Sequence, residues 1–220
     1  MDFEEARQRL AQLHDPAALK VNRRHGDEHG VKLSALRSLA KEVGRNDALA
    51  RELWASGESA ARLLATLVCR PRSFEAAELD AMLRQASTPK ERDWLLNYVV
   101  KKSPHAEELR VAWLGDATPE VAAAGWTLTA DRVAKGAVDL DEAALLTTIE
   151  TQMSQAPEAL QWAMNTCLAQ IGIHREEHRA RAVEIGESLG VLKDYPTSAG
   201  CTSPYAPEWI AEMVRRNEQS

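Results

Sequence analysis

Ser87-Thr88-Pro89-Lys90 runs into Trp94, Ala117-Thr118-Pro119-Glu120 into Trp126, and Gln155-Ala156-Pro157-Glu158 into Trp162. Three segments therefore open alike. Proline has no backbone N–H and a fixed φ, so it belongs in the first turn of a helix, where that N–H would have no partner. Thr118 is suited to cap the free amides at its helix start, and the glutamates after Pro119 and Pro157 favour the positive end of the helix dipole. The spacings from Pro89 to Pro119 to Pro157 are unequal, but each is near the length of two helices and two turns. Loose helix-pair repeats of this length predict an α-solenoid, in which each pair buries its apolar face against its neighbours and a concave face results.

Outward from these segments the same periodicity persists. Phe3, Ala6, Leu10 and Leu13, then Val31, Leu36, Leu39 and Val43, return every three or four residues, and no segment alternates as a strand would. Proline and glycine punctuate the chain at Pro16, Gly26 to Gly30, Gly44, Pro71, Pro104, Gly136, Gly172 and Gly190, which predicts ten or so helices with short links. The fold class expected is all-α, in a single domain spanning 1–220. A Pro/Ser/Thr/Gly-rich loop is expected over about 194–207, followed by a last helix from Glu208 to Arg216.

The hydrophobic share of 45% and charged share of 27% are those of a packed globular chain. Acidic residues at Asp2, Glu4 and Glu5 stand where a secretory leader would be basic, and no apolar run approaches the roughly 20 residues of a bilayer span. A cytoplasmic protein without membrane contact is expected. Cys69, Cys167 and Cys201 are widely spaced, which predicts reduced thiols and neither a disulfide framework nor a thiolate metal site. The net charge of −6 opposes bulk attraction to nucleic acid, but Lys20 to Arg45 is locally basic through Lys20, Arg23, Arg24, Lys32, Arg37, Lys41 and Arg45. Lys101-Lys102 and the stretch containing Arg175, Arg179 and Arg181 add smaller clusters.

Gly30-Val31-Lys32, Leu36-Arg37, Leu39-Ala40-Lys41, Leu53-Trp54 and Arg62-Leu63-Leu64-Ala65, with the later Gln161-Trp162-Ala163-Met164, resemble the DNA alkylation repair glycosylase family with HEAT-like repeats. The resemblance covers roughly residues 20 to 190. It implies a curved stack of HEAT-like helix pairs that grips double-stranded DNA and removes N3- or N7-alkylated purines; no cofactor is expected, and a monomer is the default for a short solenoid with polar ends. An alkylated purine is a cationic leaving group, so aromatic faces and one carboxylate suffice to hold the charge and the developing sugar cation. The resemblance carries over Trp162, with Trp94, Asp93 and Asn97 expected to line the site, and the basic clusters are expected to supply phosphate contacts through Lys20, Arg23, Arg24, Lys32, Arg37, Lys101, Lys102, Arg175 and Arg179.

Here the chain departs from the family pattern. The family places a Trp one turn before its catalytic Asp, whereas Lys90 to Tyr98 reads Asp93-x-x-x-Asn97 or, slid by one, Trp94-x-x-x-Tyr98. The Arg of the next repeat is also absent from Val121 to Trp126. A carboxylate ~4 Å from a developing cation is worth about 4 kcal/mol at an effective dielectric of ~20, roughly a thousandfold in rate. Asn97 cannot supply it, so Asp93 is the displaced candidate. Three readings follow: a glycosylase-like enzyme of altered activity, a non-catalytic relative that recognises damaged or distorted duplex, and a protein-binding scaffold favoured by the acidic net charge. His174-Arg175-Glu176-Glu177-His178 matches H-x-x-E-H, a zinc-peptidase pattern in which two His at i, i+4 face one metal and Glu acts as base, but a third ligand is not evident. Most of the six tryptophans are expected in the core.

Overall fold

A computed structural model describes residues 1–198 and 200–219. Among these residues thirteen α-helices occur and no strand. None of the helices is long and apolar enough to cross a membrane. The helices gather into two compact units, Met1–Leu109 and Arg110–Ser220.

Unit 1 contains α1 (Phe3–Gln12), α2 (Pro16–Arg23), α3 (Leu33–Val43), α4 (Asp47–Ala55), α5 (Ser59–Val68), α6 (Ala76–Gln85) and α7 (Pro89–Trp94), with α8 (Ala106–Leu114) beginning at its end. Local chemistry sets the helix starts. The side chains of Asp2, Asp15, Asn46 and Thr88 each accept a first-turn amide, as N-caps do. α5 is the central helix, with Ala61, Leu63, Leu64, Ala65 and Val68 all buried, and α3, α4 and α7 pack around it. Each leucine so buried contributes roughly 1.5–3 kcal/mol.

The stretch between α2 and α3 is clasped rather than loose. Asp15 N–H donates to Gly30 O at 2.7 Å, His14 and Val31 form an isolated antiparallel bridge, and Asn22 Nδ2 donates to His29 O at 2.8 Å. A Cβ on Gly30 would lie 2.5 Å from the His14 ring, so a larger residue there would require that ring to move. The clasp buries Asp27, whose carboxylate accepts the Lys90 amide at 2.9 Å, so it caps α7 from a distant part of the chain. Thr88 Oγ1 accepts the Glu91 amide of the same turn at 3.3 Å. The Glu91 side chain turns inward, fully buried, and pairs with Arg62 at 3.0 Å.

Unit 2 holds the remainder of α8, then α9 (Pro119–Ala134), α10 (Glu142–Gln152), α11 (Glu158–His174), α12 (Glu176–Leu189) and α13 (Ala206–Glu218). α11 is its spine, packed on α9, α12 and α13 around Trp126, Leu146, Ile149, Met164, Leu168, Ile171, Ile185 and Ile210. Small residues let backbones meet. A Cβ on Gly125 would fall 2.5 Å from Leu114 N, and one on Gly186 would fall 2.7 Å from Pro207. A Cβ on Gly172 would strike Ile210, so α13 is seated over two glycines.

Two of the three proline-led starts are as expected, at α7 and α9, while Pro157 stands one residue before α11. Thr118 does not cap through its side chain; instead Asp116 accepts the Thr118 amide at 2.8 Å. The final helix is longer than expected, beginning at Ala206, because Pro207 tolerates the first turn.

Candidate nucleic-acid interface

The two units carry different charge. Unit 1 has 18 Lys and Arg against 17 Asp and Glu, whereas unit 2 has 9 against 16, so the acidic excess belongs to unit 2. Unit 1 therefore carries the larger share of the cations that a polyanion could meet.

In unit 1 the Asp93 to Tyr98 segment does not continue as a regular α-helix. Leu95–Val99 forms a wide π-helical turn, with Val100 N–H reaching Leu95 O, and Val100–Lys102 then tightens into a 3₁₀ turn. Wide turns of this kind interrupt the α-helical ladder and recur at functional sites. Asn97 Nδ2 donates to Asp93 Oδ1 at 2.7 Å and to Asp93 O at 3.0 Å, while its own Oδ1 accepts from Lys101 Nζ at 2.8 Å. Asp93 and Asn97 are both exposed. The two residues nominated by the sequence are thus together, linked by an amide and backed by an ammonium group.

Tyr98 lies beside them and extends the patch. Its ring meets Trp94 edge-on at 5.1 Å between centroids, Lys102 Nζ sits 5.4 Å above it, and Arg37 donates to its hydroxyl at 3.3 Å. Arg37 also lies 5.3 Å over the Trp94 ring, a cation–π arrangement. Trp94 itself is only 4% exposed, which corrects the expectation that it meets DNA: the ring is a floor for Arg37 and Tyr98. The aromatic side chain half open to solvent is Tyr98.

The other expected phosphate ligands divide. Lys20, Arg24, Arg37 and Lys102 are exposed cations of unit 1. Arg23 is also exposed but paired with Glu28 at 2.9 Å, and Lys32 with Asp15 at 3.0 Å. The Lys32 hydrogen bond is the main cause that holds the Asp15 carboxyl below its ordinary range. In unit 2 the two arginines expected to contact phosphate, Arg175 and Arg179, are engaged within the fold. Arg175 is mostly buried, pairs with Glu142 at 2.8 Å and donates to the Ala137 carbonyl. Arg179 Nε donates to Gly172 O at 2.9 Å, satisfying a carbonyl near the end of α11. His174 ends α11 and His178 belongs to α12, so the two histidines of the zinc-like pattern do not share one helix.

Trp162 stands apart from the other tryptophans. Trp54, Trp94, Trp113 and Trp126 are buried, whereas Trp162, on α11, is 38% exposed. Its ring meets Tyr195 at 5.1 Å and 74°. Tyr195 was missed by sequence reasoning, although an aromatic residue inside a Pro/Ser/Thr/Gly loop is itself a signal. Asp27 was also missed, and only the tertiary clasp reveals what it does.

Comparison with known proteins agrees with this architecture. The family model for DNA alkylation repair enzymes matches residues 6–210. The uncharacterized protein Lin0241 of Listeria innocua is 22% identical over 223 residues, covering 97% of this chain and 98% of that protein. The uncharacterized protein Lmo0209 of Listeria monocytogenes is 22% identical over 231 residues, covering 98% and 99%. A solved structure, described as a new family of proteins related to the HEAT-like repeat DNA glycosylases with affinity for branched DNA structures, superposes with a TM-score of 0.77. That match is at 24% identity and covers 99% of this chain and 95% of that one. The helix pairs described above are therefore a HEAT-like repeat fold, and the chain belongs to the DNA alkylation repair enzyme family.

Proposed function

We propose that this chain binds double-stranded DNA and recognises damaged, distorted or branched duplex, with little or no excision of alkylated purines. The observation that carries this reading is the state of the carboxylate. Asp93 Oδ1 is held by the Asn97 amide, and Asn97 is held in turn by Lys101. A positive group one amide away from the carboxylate offsets the field that would stabilise a developing sugar cation. The same groups favour a phosphate. Arg37, Lys101 and Lys102 surround Tyr98 and Asn97, an arrangement of cations and a polar aromatic edge that suits a nucleic-acid backbone. The solved neighbour's description names affinity for branched DNA, which lends weight to binding over excision.

A second reading, slow excision with Asp93 as the displaced carboxylate, is favoured by the exposure of that side chain. Two measurements separate them. Duplex binding is expected to weaken with salt, and replacing Arg37, Lys101 and Lys102 by Ala is expected to reduce the slope by about one for each phosphate no longer neutralised. Release of free methylpurine from N3- and N7-methylated duplex is expected to stay at the level of the protein-free control. Base release that vanishes in Asp93→Asn would establish the enzyme instead. No binding to any DNA at low salt would leave the protein-scaffold reading.

A further inference from the structure

Unit 2 offers DNA little positive charge, yet it displays two large aromatic rings at one point of its surface. Trp162 is 38% exposed and Tyr195 is 48% exposed, and the two meet at 74°, so together they form a corner with aromatic surface left open to solvent. Burying these rings against the protein would have been favourable; here they are held out by the backbone. Gly190 ends α12 in the left-handed region, and Leu192 is the only non-glycine residue with positive φ among the described residues, at 60°. Leu192 packs its side chain on the unit 2 core, which fixes a conformation that side chains otherwise avoid. Tyr195 N–H then closes the turn on Leu192 O at 3.2 Å, and Thr197 Oγ1 donates to Tyr195 O at 3.2 Å. Farther along, Asn165 Nδ2 on α11 donates to Pro204 O at 2.8 Å, which ties the loop to the helix that bears Trp162. Tyr195 is thus set against Trp162 by a built turn and not by chance contact.

We propose that Trp162 and Tyr195 form a stacking site for an unpaired nucleobase, the element that separates a branched or gapped DNA from a continuous duplex. Every base has a π-face, so an aromatic corner takes any of the four, and it needs no cation to do so. The site rests on the DNA-binding reading above and adds to it the structural feature recognised.

The test compares two probes with the full chain: a duplex carrying a short single-stranded flap, and a fully paired duplex of the same length. Tyr195→Ala is expected to weaken flap binding about five- to hundredfold, the worth of one stacked base, and to change paired-duplex binding less than about twofold. Tyr195→Phe is expected to keep flap affinity. A flap whose unpaired positions are abasic should bind wild type as weakly as Tyr195→Ala binds the normal flap, with no further loss in the variant. The salt slope of Tyr195→Ala should equal that of wild type, since stacking releases no counterions. Wild-type binding that is indifferent to Tyr195→Ala, or a loss equal on both probes, overturns the stacking site while DNA binding stands. Failure of wild type to bind either probe at low salt overturns both readings.

Discussion

The pair Arg62–Glu91 is where a single change should most disturb unit 1. Glu91 is completely buried and Arg62 nearly so, and they meet at 3.0 Å. Each has further partners. Glu91 accepts the Ser87 amide at 2.9 Å, while Arg62 donates to Gln85 O at 2.7 Å and lies 5.3 Å over the Trp54 ring. Removing one charge strands the other away from water, which costs about 3–5 kcal/mol, whereas removing both leaves no uncompensated ion. Glu91→Gln and Arg62→Met should each therefore destabilise unit 1 by about 3–5 kcal/mol, a fall in melting temperature on the order of 6–20 °C for a chain of this size. The double variant should lose clearly less than the sum of the two. Urea unfolding followed by tryptophan fluorescence, with thermal melts in parallel, completes the double-mutant cycle. Single variants that cost under about 1 kcal/mol, or a double variant that equals the sum, would refute the argument that the buried pair is electrostatically coupled.

Three other outcomes follow from the packing and the titratable groups. Gly125→Ala should cost about 1–3 kcal/mol, because the new methyl meets the backbone of Leu114 and Trp113 and cannot be accommodated by a rotamer change, whereas Gly115→Ala, with open space around it, should be neutral in the same melts. Burial pushes the Cys69 and Cys167 thiols up to about 12, while Cys201 is exposed, so a maleimide or disulfide reagent at pH ~8 should modify one thiol quickly and the other two only on unfolding. Burial lowers the pKa of His29, so the folded ring stays neutral when the unfolded ring takes its proton near pH ~6.5; stability should fall as pH drops from about 7.5 to about 5.5, and His29→Gln should make that fall shallower. An unchanged pH slope in the variant would show that His29 is not the group responsible.

Pro89 and Pro119 announced their helices because proline is excluded from helix interiors by its own covalent structure, and that constraint acts whatever surrounds it. The same is true of the helical periodicity through α3, where Leu36 and Leu39 are buried as their spacing predicts. The site was legible in composition but not in facing. Asp93 meets Asn97 and Trp94 meets Tyr98, as counting in fours predicts, but that count does not say which of the two pairs faces solvent. That Trp94 lies under Arg37 and Tyr98, and not above them, depends on what packs on α7 from α3. Arg175 and Arg179 read as a surface cluster because sequence shows their charge but not the carbonyls of Ala137 and Gly172 that accept their hydrogen bonds. Tyr195 depends on a turn set by Leu192, a conformation no residue type would suggest there.

The seating of α13 over Gly172 and Gly186 has a consequence for biosynthesis. Until Pro207 and Ile210 have been made, the faces of α11 and α12 at Gly172 and Gly186 have no α13 to cover them. Unit 1 draws all its parts from residues 1–109 and is expected to mature while unit 2 is still being translated. A nascent chain halted between residues 190 and 205 should accordingly be chaperone-bound and sensitive to protease in its second half, and should become resistant once α13 has emerged and latched.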